Sequence, residues 1–204
     1  TVKRFHDFDD AQRKDVKNRA RLCREEIDFV LSREKDCGVL MKQLEEGTLP
    51  LRVTHNDTKI SNILFDAKTK EVLCAIDLDT VMSASVLNDV GDALRCYTNT
   101  GAEDAQDLST VSMSLEMFTA YIRGYLSEMG SSLCPAELDN LAFSGRYITF
   151  EQVLRFLMDY LDGDTYYKTK YPEHNLVRAR AQYKLLQSME AQFPQMCEIV
   201  AALR

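Results

Sequence analysis

Apolar side chains recur at helical spacing over most of this chain, and the pattern changes character once, between about residues 50 and 84. After Asp9 and Asp10, the positions Val16, Ala20, Cys23, Ile27 and Leu31 predict one long amphipathic helix with Gly38 as its stop. A short helix is expected to follow as far as Glu46, ended by Gly47 and Pro50. Leu51 to Thr54 then reads as a short strand, Asn62 to Asp66 as a second and Glu71 to Ile76 as a third, with Ala67 to Lys70 as the turn of a hairpin. Apolar residues dominate these runs, so the hairpin is expected to pack against helices. From Val86 the helical period returns. Phe118, Tyr121, Ile122, Tyr125, Leu126 and Met129 share one face. Pro135 opens a helix that runs to Leu161, and a last helix starts near Asn175, heads for Leu203 and is interrupted near Pro194. The predicted fold class is α+β, mainly helical with a small β-hairpin.

Composition narrows the classes. The 204 residues suffice for one large domain, and four prolines and eight glycines leave room for long helices. The net charge of −7 argues against nucleic acid and anionic membranes as partners, because both call for a basic surface. No apolar run approaches a membrane span and no signal-like N-terminus is visible, so a cytoplasmic location is expected. The six cysteines form no Cys-x-x-Cys pair and no zinc-ligand spacing; they read as reduced, mostly packed thiols. Cys134 is followed directly by Pro135, which departs from the Cys-x-Pro-x-Arg stretch of sulfatases and sets that hydrolase reading aside.

The strand-rich segment carries the chemistry. It reads His55-Asn56-Asp57-Thr58-Lys59-Ile60-Ser61-Asn62, then the hairpin, then Ile76-Asp77-Leu78-Asp79-Thr80. An Asp, an Asn five residues on and an Asp fifteen beyond that make an oxygen-rich set suited to Mg²⁺ and phosphate. The spacing is that of a kinase catalytic loop followed by its metal-binding Asp. On this reading Asp57 orients an acceptor hydroxyl and takes its proton, Asn62 and Asp77 hold Mg²⁺ and with it ATP, and His55 is a scaffold residue bonded to the loop backbone. Singly, each residue has a bland alternative: His-x-Asp is common, and Asp77 and Asp79 could be a solvated strand end.

At these residues the chain resembles the aminoglycoside phosphotransferase and choline kinase group of small-molecule kinases, and within it most nearly the N-acetylhexosamine 1-kinases. The resemblance runs from about Phe5 to Met196. It rests on Leu-Arg-Val-Thr-His-Asn-Asp-Thr-Lys at 51–59, Ile-Asp-Leu-Asp-Thr-Val-Met at 76–82, Asn-Asp-Val-Gly-Asp at 88–92 and Arg-Phe-Leu-Met-Asp-Tyr-Leu-Asp-Gly-Asp-Thr-Tyr-Tyr-Lys at 155–168. It implies the C-terminal lobe of a protein-kinase-like fold: a helical lead-in over 1–50, catalytic and metal loops over 51–84 and a helical acceptor-binding subdomain over 85–204. It also implies that Lys59, Thr80, Arg155 and Tyr166 contact a sugar, and that Asp89 or Asp92 braces the catalytic loop. A cation at Lys59 would favour an ionised Asp57.

The expected activity is transfer of the γ-phosphate of ATP to a sugar hydroxyl, the anomeric hydroxyl of N-acetylhexosamine or a related hexose. Two alternatives stay open. One keeps the reaction and takes an aminoglycoside, choline or homoserine-like alcohol, since Glu151, Asp159, Asp162 and Asp164 offer carboxylates to an amine. The other is a kinase-derived binding module without turnover. No Gly-x-Gly-x-x-Gly occurs and no phosphate-pairing Lys precedes the motif, so the nucleotide-covering N-terminal lobe is expected to be absent and the chain to be a fragment, inactive by itself.

Overall fold

The computed structural model describes all 204 residues. Its centre is helix α6 (Pro135–Asp162), against which α7 (His174–Ala191), α4 (Val86–Tyr97) and α1 (Val2–Lys14) pack. Helices α2 (Arg24–Leu31), α3 (Val39–Glu45), α5 (Leu115–Met129) and α8 (Phe193–Leu203) complete the bundle. Two apolar clusters share α6. Val90, Leu94, Phe118, Ile122 and Leu141 lie in one, and Phe8, Ile27, Leu157, Tyr160 and Leu186 in the other. No helix is long and apolar enough to cross a membrane.

Local chemistry sets the helix ends. Ser85 caps α4 by accepting from Leu87 N, and Ser114 caps α5 by accepting from Met117 N. Helix α6 starts at Pro135, with Glu137 reaching back to Cys134 N at 2.8 Å. It ends at Gly163, whose φ of 96° suits a residue without a side chain.

The long helix expected through Val16–Leu31 is broken. Asp15 and Asn18 take left-handed conformations, and the Asp15 carboxylate captures the Arg19 and Ala20 amides that a continuing helix would use. A helix ends at Lys14, a short 3₁₀ turn covers Ala20–Leu22, and α2 begins at Arg24. The periodic positions Cys23 and Ile27 are buried nonetheless, whereas Val16 is exposed.

Four short strands form two separate two-stranded antiparallel sheets, and no strand precedes Arg52. The expected hairpin is present as β2 (Ile63–Phe65) and β3 (Val72–Ala75), with Ile63 opposite Ala75. Strand β1 (Arg52–Thr54) pairs with β4 (Met82–Ala84), which the sequence reading did not anticipate, with Val53 opposite Ser83. The hairpin does not pack against helices. Leu64, Phe65, Val72 and Leu73 are all exposed, because β2 and β3 pair only with each other and no helix crosses their faces. All six cysteines are free; Cys23 and Cys37 are buried as expected, but Cys74 and Cys197 are exposed.

Candidate active site

The loop after β1 is held from below by the start of α4. Asp89, in the first turn, accepts from His55 N at 2.8 Å and from Asn56 N at 2.6 Å. Thr58 Oγ1 donates to the Asp89 carbonyl at 2.8 Å, and Tyr97 Oη donates to the Thr58 carbonyl at 2.5 Å. Asn56 adopts φ 63°, a conformation that Asn tolerates better than most residues, and its amide donates to Thr54 Oγ1 and the Thr80 carbonyl. Two backbone amides and the Thr58 hydroxyl thus tie the 55–58 loop to one helix start. Of the two acidic residues expected to brace the loop, Asp89 makes these contacts. Asp92 makes none, because its Oδ1 is taken by Arg95 Nε at 3.1 Å and Nη2 at 2.8 Å. Its other oxygen is buried without a partner.

His55 Nε2 lies 2.9 Å from the Ile76 carbonyl, which can only accept, so this nitrogen carries the proton. The bond joins the loop after β1 to the strand that leads into Asp77. Thr80, expected at the sugar, spends its hydroxyl proton on the His55 carbonyl at 2.6 Å and so stitches the two motifs together. It also lines the cleft described below.

Asp57 sits at the centre. Its Oδ2 accepts from Asn62 Nδ2 at 2.9 Å and from Lys59 Nζ at 2.6 Å. Burial alone would raise its pKa; the Lys59 ammonium and the Asn62 amide outweigh that and hold the carboxyl below its ordinary value. Lys59 is correspondingly raised, first by its bond to Asp57, with Asp77 and Asp92 adding to the field. The base of the hairpin brings the backbone at Asn62 beside the residue before Asp77, because Ile76 N donates to the Asn62 carbonyl at 2.9 Å. Asp77 takes a left-handed conformation, φ 63°. One amide oxygen and one carboxylate are hard donors of the kind Mg²⁺ takes, and their small number suits a metal that keeps waters and phosphate oxygens as its other ligands. No group of three His, Cys, Asp or Glu side chains is placed to form a cage by itself.

On its other side Asp57 opens into a cleft of about 550 Å³ that reaches Arg155 and Tyr166. The structure therefore brings Asp57, Thr80, Arg155 and Tyr166 to one cavity, while Lys59, Asn62 and Asp77 lie outside its lining. The cleft floor also carries Asn88, Asp92 and Arg95, and the wall carries Arg4, Glu151 and Gln152. Sequence reasoning gave these no role at the site, apart from the bracing expected of Asp92 and the carboxylate that Glu151 offers to an amine acceptor. The first three recur at helical spacing on α4, which was the available signal. Each carboxylate of the cleft is matched to a cation: Asp57 to Lys59 at 2.6 Å, Asp92 to Arg95 at 2.8 Å, Glu151 to Arg4 at 3.1 Å. Arg155 makes no ion pair. It is held by Gln152 Oε1 at 3.3 Å and lies 5.5 Å from the centre of the Tyr167 ring.

A model of the phosphotransferase enzyme family (APH) matches residues 2–112. The match takes in β1, both loops, the hairpin and α4, and it spans more than half of the chain. The chain therefore belongs to the phosphotransferase enzyme family, whose chemistry is kinase-like phosphoryl transfer.

Proposed function

We propose that this chain carries the catalytic loop, the metal-binding pair and the acceptor cleft of an ATP- and Mg²⁺-dependent kinase acting on a sugar hydroxyl. The favoured acceptor hydroxyl is the anomeric one of N-acetylhexosamine or a related hexose. The observation that carries the reading is the position of Asp57, with the Asn62 and Lys59 donors on one side and the cleft ending in Arg155 and Tyr166 on the other.

Phosphoryl transfer asks a protein mainly for position and charge. Asp57, ionised over the neutral range, holds the acceptor hydroxyl and takes its proton as the new O–P bond forms and the bond to ADP breaks. Lys59, paired with Asp57, is the cation that would meet the transferred phosphoryl group, and Asn62 and Asp77 are the residues that would hold Mg²⁺. The metal, when bound, neutralises charge spreading over the phosphate oxygens. Asp89 and His55 keep the loop rigid, so that Asp57 need not be ordered at the moment of reaction.

Charge favours a neutral acceptor over an amine. The cleft has no carboxylate left over, and its one uncommitted charge is the Arg155 guanidinium, a donor fork for hydroxyl or acyl oxygens. Of the carboxylates that could have met an amine, Glu151 serves Arg4, Asp164 serves Arg19 at 2.5 Å, and Asp159 is buried against backbone amides. Asp162 lies in a separate chamber behind Tyr166. A comparison of N-acetylglucosamine with glucosamine, the same ring bearing an ammonium, tests this by ADP release. We expect N-acetylglucosamine to be preferred on the order of tenfold. A preference for glucosamine, choline or an aminoglycoside overturns the sugar reading and restores the amine one.

A further inference from the structure

The last turn of α6 contains a carboxylate whose bonding is out of proportion to any structural need of the helix. Asp159 is 3% exposed and pairs with no cation. Its Oδ1 accepts from Thr165 N at 2.9 Å and Tyr166 N at 2.8 Å; its Oδ2 accepts from Tyr167 N at 2.9 Å and Asn175 Nδ2 at 2.8 Å. Three consecutive amides of a loop are thus gathered onto one side chain. Asn175 passes its second amide proton to Asp164 Oδ1 at 2.9 Å, and Asp164 in turn holds Arg19. A knot of this kind is expensive to bury and is stable only when every donor and acceptor is used.

The residue fixed most directly is also the most exposed aromatic of the chain. Tyr166 has its amide pinned at 2.8 Å while its side chain is 73% exposed. Its neighbour Tyr167 turns inward and packs on Phe156 at 4.7 Å between ring centres, giving Tyr166 an edge-on support at 4.8 Å. Tyr166 lines both the cleft that holds Asp57 and the chamber behind it. A rigid backbone beneath an uncovered ring is the arrangement of a stacking platform, in which the ordering cost of the ring is met before ligand arrives.

We infer that Asp159 is a positioning residue for the acceptor: it acts through the 165–167 amides to present the Tyr166 ring to the cleft. The inference rests on the reading that this cleft takes the acceptor. It adds that the acceptor has a ring or carbon face to lay on Tyr166, and that loop order, rather than a further polar contact, supplies part of its affinity.

The test is a double-mutant cycle read as N-acetylglucosamine affinity by titration calorimetry on the 204-residue chain. Asp159→Asn removes one acceptor oxygen and sets an amide donor against loop donors. It should weaken binding by roughly three- to tenfold, the range for one aromatic contact. Tyr166→Ala should do the same, Tyr166→Phe should retain near-parent affinity, and the double variant should bind no worse than Tyr166→Ala. Additive losses overturn the inference, since Asp159 would then act by another route. If Tyr166→Ala binds as the parent does, or the parent binds none of the sugar, the acceptor reading of the cleft fails and the inference with it. Should Asp159→Asn not fold, amide exchange in the unaltered chain decides: protected Thr165, Tyr166 and Tyr167 amides without ligand support the inference, and rapid exchange at all three overturns it.

Discussion

At Asp57 two opposing effects meet, and their balance has a measurable consequence. Burial pushes its pKa up, while Lys59 and Asn62 push it further down. A carboxyl whose folded value lies below its ordinary 3.8 stabilises the fold above that pH. That contribution is lost as pH falls through the folded value. Replacing Lys59 with Met leaves burial opposed chiefly by the Asn62 amide. The Asp57 carboxyl should then titrate at higher pH than in the parent, observable as an upward move of its carboxyl carbon resonance in a pH series. An unmoved titration would mean that Lys59 does not set the charge of Asp57. The same variant separates the roles of Lys59, because a residue that only keeps Asp57 ionised becomes dispensable at high pH and one that meets the phosphate does not.

Elements place these residues, and two contacts between elements are exposed to single changes. Strand β1, which leads into the Asp57 loop, is anchored to the start of α6 by Arg52, whose Nε and Nη2 reach the two oxygens of the buried Glu137 at 2.7 and 2.8 Å. Arg52→Ala strands that carboxylate; discounted for the partial exposure of Arg52, the loss should be roughly 2–3 kcal/mol in denaturant unfolding. A change within about 0.5 kcal/mol would show the anchor to be idle. Helices α4 and α6 meet at Gly91, where an added methyl would stand 2.4 Å from the Ser144 carbonyl oxygen and 2.4 Å from Ile148 Cγ1. Backbone cannot swing aside as a side chain can, so Gly91→Ala should cost about 1–3 kcal/mol and lower Tm by several degrees. An unchanged Tm would contradict the close packing of the two helices.

Much of this layout is legible in the pattern of the chain, for identifiable reasons. Pro135 is a local signal, and the helix it opens lies where the sequence puts it, ending at Asp162, one residue past the expected Leu161. Asn62 and Asp77 can be brought together on paper because the hairpin between them has a turn that the sequence displays. The break at Asp15–Asn18 is hidden, because the apolar period runs on past Asp15, whose carboxylate captures the Arg19 and Ala20 amides. Strand β4 is hidden because its partner lies 30 residues earlier in the chain, Ser83 opposite Val53. The cation accounting of the cleft is hidden for the same reason: Arg4 and Glu151 belong to α1 and α6.

At the scale of the whole molecule, the helical bundle is well covered and the strand region is not. Val53 is 83% exposed, and Leu51, Val72, Leu73, Leu78 and Met82 are exposed with it. Apolar side chains exposed on both sheets of a chain of net charge −7 favour association. The pair Val53→Thr and Leu73→Thr should therefore reduce self-association in sedimentation. It should change unfolding free energy by no more than about 0.5 kcal/mol per site, since neither side chain supports the core. A large loss of stability would show instead that these strands are covered in solution.

If Asp57 is the base, turnover of the full-length protein with MgATP and N-acetylglucosamine depends on its carboxylate. Asp57→Asn preserves size but gives up the ion pair with Lys59 and cannot take a proton. A fall in turnover of roughly 10²–10⁴-fold is expected, with acceptor affinity retained. Turnover equal to the parent's would contradict it.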